Sequence, residues 1–388
     1  MKHVKLKWKD YVVIVIITTI TYLFSAFTAK TGLLQGGITS INTYNDSRFS
    51  DYYTQVIRSG ESESQSHSIT IISLQDCLNR KTIARLINII DSLQPKAIGF
   101  DVLLEGQMEN DTVLIESLIN CKNIVLARRM VKDSLASYPI YDCLKEKTIG
   151  VANFEGHNLL DKIRHFKTLF LLPNGDTLNS FSSAIVKQID SEAYKRLLER
   201  SDEIEIINYH RLIHFPCVKW DEIINEDGRC IIKDDKNICD RIVLVGLDSD
   251  DASEVSPINE DVHITPINEV WTGTRIHAAA IDTILKEDYV HTVSPVFVNF
   301  IAIIVLFIWV WYLYKSKKNI NSFKVLLNRI TQILLILIVF FIGILCFKKN
   351  EYLDFSIITI GMGVSAICFD IVYSIYSIII NNKTNKLS

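Results

Sequence analysis

Three aspartates and one histidine stand where a ligand could be met. Asp76 and Asp101 each follow or close a short apolar, β-rich run. Ligands of open α/β sheets bind beyond the carboxyl ends of the strands, so both are candidates for contact with a small molecule. The alternative is that both cap helices or accept bonds from loop amides. Asp248 follows a third such run and heads an acidic stretch with Asp250, Asp251 and Glu254. Calcium and similar hard cations collect carboxylate oxygens in this way. The stretch lacks the glycine and the terminal glutamate of an EF-hand loop, however, and a solvated acidic loop is the plainer expectation. His277 lies in a helical stretch of small residues. It is read either as a ligand or signalling contact or as a buried, hydrogen-bonded structural group. His210, His214 and His263 show no metal-ligand spacing.

Other chemistry is excluded by motif. No Gly-x-Ser-x-Gly nucleophile turn occurs, and no Gly-x-x-x-x-Gly-Lys phosphate loop. No paired acid and base can be named, so an enzyme is not expected, nor a cofactor, nor a bound metal. The eight cysteines form no Cys-x-x-Cys pair. Cys230 and Cys239 flank a polar stretch and make the best disulfide candidates. The alternative is that most of the six outer cysteines, Cys77, Cys121, Cys143, Cys217, Cys230 and Cys239, are small buried apolar residues.

These side chains must be carried by a long and unevenly apolar chain. It has 388 residues, of which 48% are hydrophobic and 22% charged. The apolar excess sits in four blocks at 11–29, 296–314, 330–347 and 355–380, each near the length of about 20 residues that crosses a bilayer. Asp370 stands about midway along the fourth block. A carboxylate in lipid is costly and is a functional candidate by default. It would accept bonds from a neighbouring span or dock a partner; otherwise it is protonated or snorkels. Gly361 and Gly363 in the same block would permit close helix contact.

Positive charge orients the blocks. Lys2, Lys5, Lys7 and Lys9 precede the first; Lys315, Lys317, Lys318, Lys324 and Arg329 lie between the second and third; Lys383 and Lys386 follow the fourth. The expectation is therefore a multi-pass cell-membrane protein with a cytoplasmic N-terminus (1–10), a cytoplasmic basic loop (315–329) and a cytoplasmic tail (381–388). Residues 30–293 then lie outside. The whole chain carries −3, while residues 1–10 carry +3 and residues 294–388 carry +6, which leaves −12 on the outer segment. Such a segment is unsuited to nucleic acid, which needs basic contacts to phosphate.

Within it, residues 30–67 read as a polar linker. From Ser68 the pattern is strand, helix, strand, helix, strand: 68–74, 80–93, 97–104, 110–120 and 123–130. That alternation means βαβ units and a parallel sheet. Strands at 149–154 and 165–173, a turn at Asn174–Asp176, a helix at 180–189 and an alternating strand at 203–209 form a less regular middle. A short helix at 218–224, a buried strand at 240–246 and a helix at 275–286 follow. The fold class is an α/β extracytoplasmic domain, with a mostly parallel central sheet and an antiparallel insertion, plus four transmembrane helices.

Several segments resemble one family. KAIGFDVLLEG followed by a helix and NIVLARRM, then HFKTLFLLPNGDTLNSFSSAI, DRIVLVGLDSD and ITPINEVWTGTRIHAAAIDTILKEDYVHTVSP, resemble the type-two CHASE extracellular sensory domain. The last contains Gly273, His277, Ala278 and Ala280 in the family's Gly-x-x-x-His-Ala-x-Ala-like pattern. The similarity covers roughly 68–295. QDCLNRKTIAR lacks the tryptophan–proline–arginine stretch often found after the first strand, and DSDDASE lacks the small apolar residues usual after Gly246.

The resemblance implies a sensor of an external cue, with a small ligand or envelope component outside. In such proteins the change passes to a cytoplasmic cyclase or kinase. Here about eight residues follow the fourth span and the basic loop is short. The expectation is thus a sensor that signals through a separate membrane or cytoplasmic partner, met at Lys315, Lys317, Lys318 or at the spans, with a homodimer compatible with this reading. The alternatives are a structural or envelope-interaction membrane protein and, less favoured, a membrane-bound hydrolase using the Asp76/Asp101 cleft.

Overall fold

The computed structural model describes residues 7–31, 48–60, 64–75, 77, 79–104, 106–154, 162–200, 203–209, 213–225, 229–232, 236–248, 261–317 and 322–385. Along the chain the main elements are α1 (Trp8–Thr31), α2 (Phe49–Arg58), β1 (Ile69–Ser73), α3 (Arg80–Ser92), β2 (Ala97–Asp101), α4 (Asp111–Asn120) and β3 (Ile124–Arg128). There follow β4 (Thr148–Val151), α5 (Phe181–Ile189), β5 (Cys217–Lys219), β6 (Ile242–Gly246), β7 (Val262–Ile264), β8 (Val270–Thr272) and α6 (Gly273–Leu285). The last three are α7 (Pro295–Lys317), α8 (Ser322–Phe347) and α9 (Ser356–Asn385). The chain divides into two compact units, Arg58–Val290 and the segments on either side of it.

The first unit is built on a six-stranded sheet in the order β5-β1-β6-β2-β3-β4, parallel throughout. Its central strands are apolar at nearly every position because both faces are covered. Alternate residues serve opposite cores. Ile69, Ile71, Ile242, Leu244, Val125 and Ala127 pack with α5 and α6 residues such as Phe181, Ile185, Ile276 and Ile281. Ile72, Val243, Val245, Ile98, Phe100, Ile124 and Leu126 pack with Leu86, Ile87 and Ile90 of α3 and Leu114 and Leu118 of α4. The result is three layers, with helices on both faces.

Antiparallel pairing is confined to short ribbons. Leu169–Leu171 pairs with Thr177–Asn179 around the turn at Gly175, and His165–Lys167 pairs with Ile204–Ile206. The β7–β8 hairpin leads straight into α6.

Three local readings change. Val218 does not begin a helix: Cys217–Lys219 is the edge strand β5 against β1, and Trp220–Ile223 forms a single helical turn after it. Part of the expected polar linker is α2, whose Asp51 carboxylate accepts the Arg48 N–H at 2.9 Å. Cys230 and Cys239 are exposed and unbonded, whereas Cys77 and Cys121 are buried as expected and Cys143 is exposed.

The second unit contains four helices long and apolar enough to cross a membrane, at Trp8–Ala29, Pro295–Lys317, Ser322–Phe347 and Ser356–Ile379. Its core joins Val13, Ile14 and Ile17 of α1 to Ala302, Leu306 and Trp309 of α7 and to Ile358, Met362 and Phe369 of α9. Gly361 makes the expected close approach: a Cβ there would meet Leu306 and Ser25, whereas at Gly363 it would meet open space. Polar bonds fasten α8 and α7 to α9. Gln332 Nε2 donates to the Met362 carbonyl, and Trp309 Nε1 donates to Ser365 Oγ of α9 at 2.9 Å. α2 also belongs here. Tyr53 inserts among Phe49, Phe340, Phe347 and Tyr352, over Gly343 of α8.

Candidate functional site

The carboxyl edge of the parallel sheet is where β1, β6 and β2 end side by side, with Ser73, Gly246 and Asp101 in register. The N-terminus of α6 is fastened to this edge. Thr272 caps the helix, its Oγ1 accepting the Arg275 N–H at 3.3 Å, which satisfies one of the orphan donors of the first turn. The same hydroxyl donates to Asp248 Oδ1 at 2.8 Å. Arg275 donates to Asp248 Oδ2 from Nη2 at 2.9 Å and from Nε at 3.3 Å. The Asp248 side chain is 1% exposed, and its backbone carbonyl accepts Ser73 Oγ. Asp248 is therefore a fully paired buried carboxylate, and its place is not a solvated loop. The rest of its acidic stretch, Asp250, Asp251 and Glu254, lies outside the described residues, as does Asp76.

Asp101 meets the same helix start. Thr274 Oγ1 donates to Asp101 Oδ2 at 2.8 Å. Asp101 is thus neither an N-cap nor an acceptor of a loop amide in this contact. A second carboxylate, Asp261, stands beside it. A Cβ on Gly273 would collide with the Asp261 carboxylate, and a Cβ on Gly246 would collide with Thr274 Oγ1. Both glycines are needed so that acid, hydroxyl and strand end can close together. His263 Nε2 lies 3.8 Å from Asp261 Oδ1. Burial pushes the Asp101 carboxyl up to about 7; the Asp261 charge pushes the same way and the Thr274 bond opposes both.

His277 lies one turn further along α6, 3% exposed. Its Nδ1 is 3.2 Å from Ser182 Oγ of α5. Its ring lies 4.4 Å from that of Phe154 and 5.0 Å edge-on from that of Phe181. Burial pulls its pKa down to about 3, His263 adds to this, and a backbone bond with Ala152 opposes it. At neutral pH it is an uncharged, packed imidazole.

The structure thus brings together Asp101 and Asp248, places His277 in the adjoining helix layer, and leaves Asp370 in the other unit. There Asp370 Oδ1 lies 3.4 Å from Lys317 Nζ. That ammonium also lies 4.2 Å from the centre of the Tyr373 ring. This carboxylate therefore has a basic partner at the end of α7. Lys315 Nζ sits over Trp311, and Lys318 is outside the described residues. The sequence did not single out Asp261 or Arg275, and it placed Thr274 or Thr272 near the start of this helix without a role at the site. The signal was present as Thr-Gly-Thr-Arg at the start of a small-residue helix, where capping hydroxyls are expected. Among the described residues no three His, Cys, Asp or Glu side chains gather as a metal site.

A family model described as CHASE2 domain matches residues 36–314. No curated protein and no solved structure matches the chain.

Proposed function

Because the chain belongs to the CHASE2 domain family, a family of sensory domains, we propose that it is a membrane-anchored sensor whose α/β unit receives a cue outside the cell and whose helical unit relays it inward. The observation that carries this reading is the attachment of α6. Two carboxylates at the carboxyl edge of the sheet grip the first residues of α6, and α6 is followed within ten residues by the apolar helix α7. A ligand at that edge would compete for or reinforce the grip, and the helix would carry the difference onward. A differential affinity between two states is all that such a relay requires. A coupling of about 1–3 kcal/mol shifts output several-fold.

In this reading the N-terminus and the basic segment around Lys315 and Lys318 face the cytoplasm, and a separate signalling protein is met there. The helical unit supplies anchoring and relay, with no reaction of its own. The test is capture of the detergent-solubilised full chain from its native cells. A kinase, cyclase or regulator should co-purify, and Lys315→Gln with Lys318→Gln should reduce its recovery several-fold. Lys317 is left intact because it holds Asp370. Recovery of envelope-assembly proteins alone would overturn the relay.

A further inference from the structure

The paired acids at the head of α6 have a property that the ion pair next to them lacks. Asp248 has Arg275 and Thr272. Among the described residues the Asp101 carboxylate accepts a side-chain bond from the Thr274 hydroxyl, and its charged neighbour Asp261 is another acid. A carboxylate drawn partly out of water beside a second negative charge holds a proton more readily than it would alone, and Asp261, itself 46% exposed, supplies that charge. We propose that Asp101, with the Asp261 charge beside it, is a proton-binding site, and that the proton it holds keeps the N-terminus of α6 docked on the sheet. The inference deepens the sensor reading and rests on it for the statement that the acidity sensed is external.

The geometry supplies the coupling. Gly273, the first residue of α6, lies directly against the Asp261 carboxylate, and Thr274 is bonded to Asp101. Repulsion between the two acids therefore acts on the first turn of the helix. α6 presents Thr274, and the β7 segment presents Asp261 and His263. Beyond β6 stands Asp248, whose charge is answered by Arg275. Ser73 ends β1 without a charge. Glu105 and the acidic residues between 250 and 260 lie outside the described residues.

The direction follows from linkage. Asp101 is pushed up to about 7 in the docked form, above its ordinary range. The docked form therefore binds the proton more tightly than the undocked form. Acid favours docking, and docking weakens as pH rises through neutrality.

The experiment is infrared difference spectroscopy of the full chain in nanodiscs, titrated from about pH 5 to about pH 8, either side of that value. A protonated-carboxyl band should be lost near neutral pH and be absent in Asp101→Asn. Removing the charged neighbour with Asp261→Asn should move the transition to lower pH. Removing the donor with Thr274→Val should move it to higher pH. These opposite shifts test the site even where Asp101→Asn fails to fold. Hydrogen exchange over 273–285, corrected for intrinsic rates, should lose protection with rising pH in the natural protein and stay constant in Asp101→Asn. A band that survives Asp101→Asn, shifts of the same sign in the other two variants, or equal loss of protection in both proteins would overturn the proposal. None of these readouts needs a partner protein, so their failure leaves the relay untouched, and failure to capture a partner leaves the proton site untouched.

Discussion

Asp248 and Arg275 show how one residue pair can decide whether a helix stays attached. Truncating one member of a buried ion pair leaves the other without compensation, at a cost of about 3–5 kcal/mol. Arg275→Met should therefore lower the urea midpoint of the protein sharply, because it strands a carboxylate that is 1% exposed. Adding Asp248→Leu should recover much of the loss; no recovery would mean that the pair is not the source of the effect. His277 tests the opposite quantity. Its pKa falls from 6.5 to about 3 on folding, so it favours the folded state above its unfolded pKa. That contribution is lost as pH falls through about 6 toward about 3. His277→Gln should flatten the decline of stability on the acid side, measured as urea midpoints between about pH 4 and about pH 7. Asp101 acts with the opposite slope over much of the same window, so the two are separable only in single variants.

At the scale of elements, the strands that sequence revealed are those buried on both faces. ITIIS, AIGFD, IVLAR and IVLVG are continuous apolar runs, and each became a central strand. β5 escaped because three residues, CVK, hold too little of any period, and its place was set by pairing with β1. α2 escaped because its flanks are polar, although Phe49, Tyr53 and Ile57 recur at helical spacing. The acid pair at α6 was half visible: Asp101 by its strand end, Asp261 not at all, since only the β7–β8 hairpin returns it to the sheet. α2 carries its own prediction. Gly343 leaves the notch that Tyr53 fills, and a methyl there meets the phenol ring directly. Gly343→Ala should expel Tyr53 and loosen α2, read as faster trypsin cleavage after Arg48 and Arg58. An unchanged rate would show that the notch does not hold the helix. Among the described residues the buried Tyr53 hydroxyl has no hydrogen-bond partner. Tyr53→Phe should therefore keep α2 docked and raise thermal stability slightly, since an unmade buried bond is a cost.

At the scale of the whole molecule the distribution of charge is the deciding quantity. The chain totals −3, yet residues 1–10 and 294–388 together carry +9 while the residues between them carry −12. Lysine and arginine are retained on the cytoplasmic side of a membrane, and acidic residues contribute little to orientation. The basic flanks of α1, α7 and α8 therefore argue for one orientation more strongly than the net charge does. The natural cysteines can report it without altering the protein. Cys143 and Cys230 and Cys239 are exposed on the α/β unit, whereas Cys346 and Cys368 lie in α8 and α9 and are partly covered. A membrane-impermeant maleimide added to cells with an intact plasma membrane should label the first three, and serine replacements at those positions should abolish the signal. Labelling that appears only after lysis would reverse the orientation. The −12 segment would then lie inside, the basic segments would face outward against the charge rule, and the acid pair at α6 would read the pH of the cytoplasm.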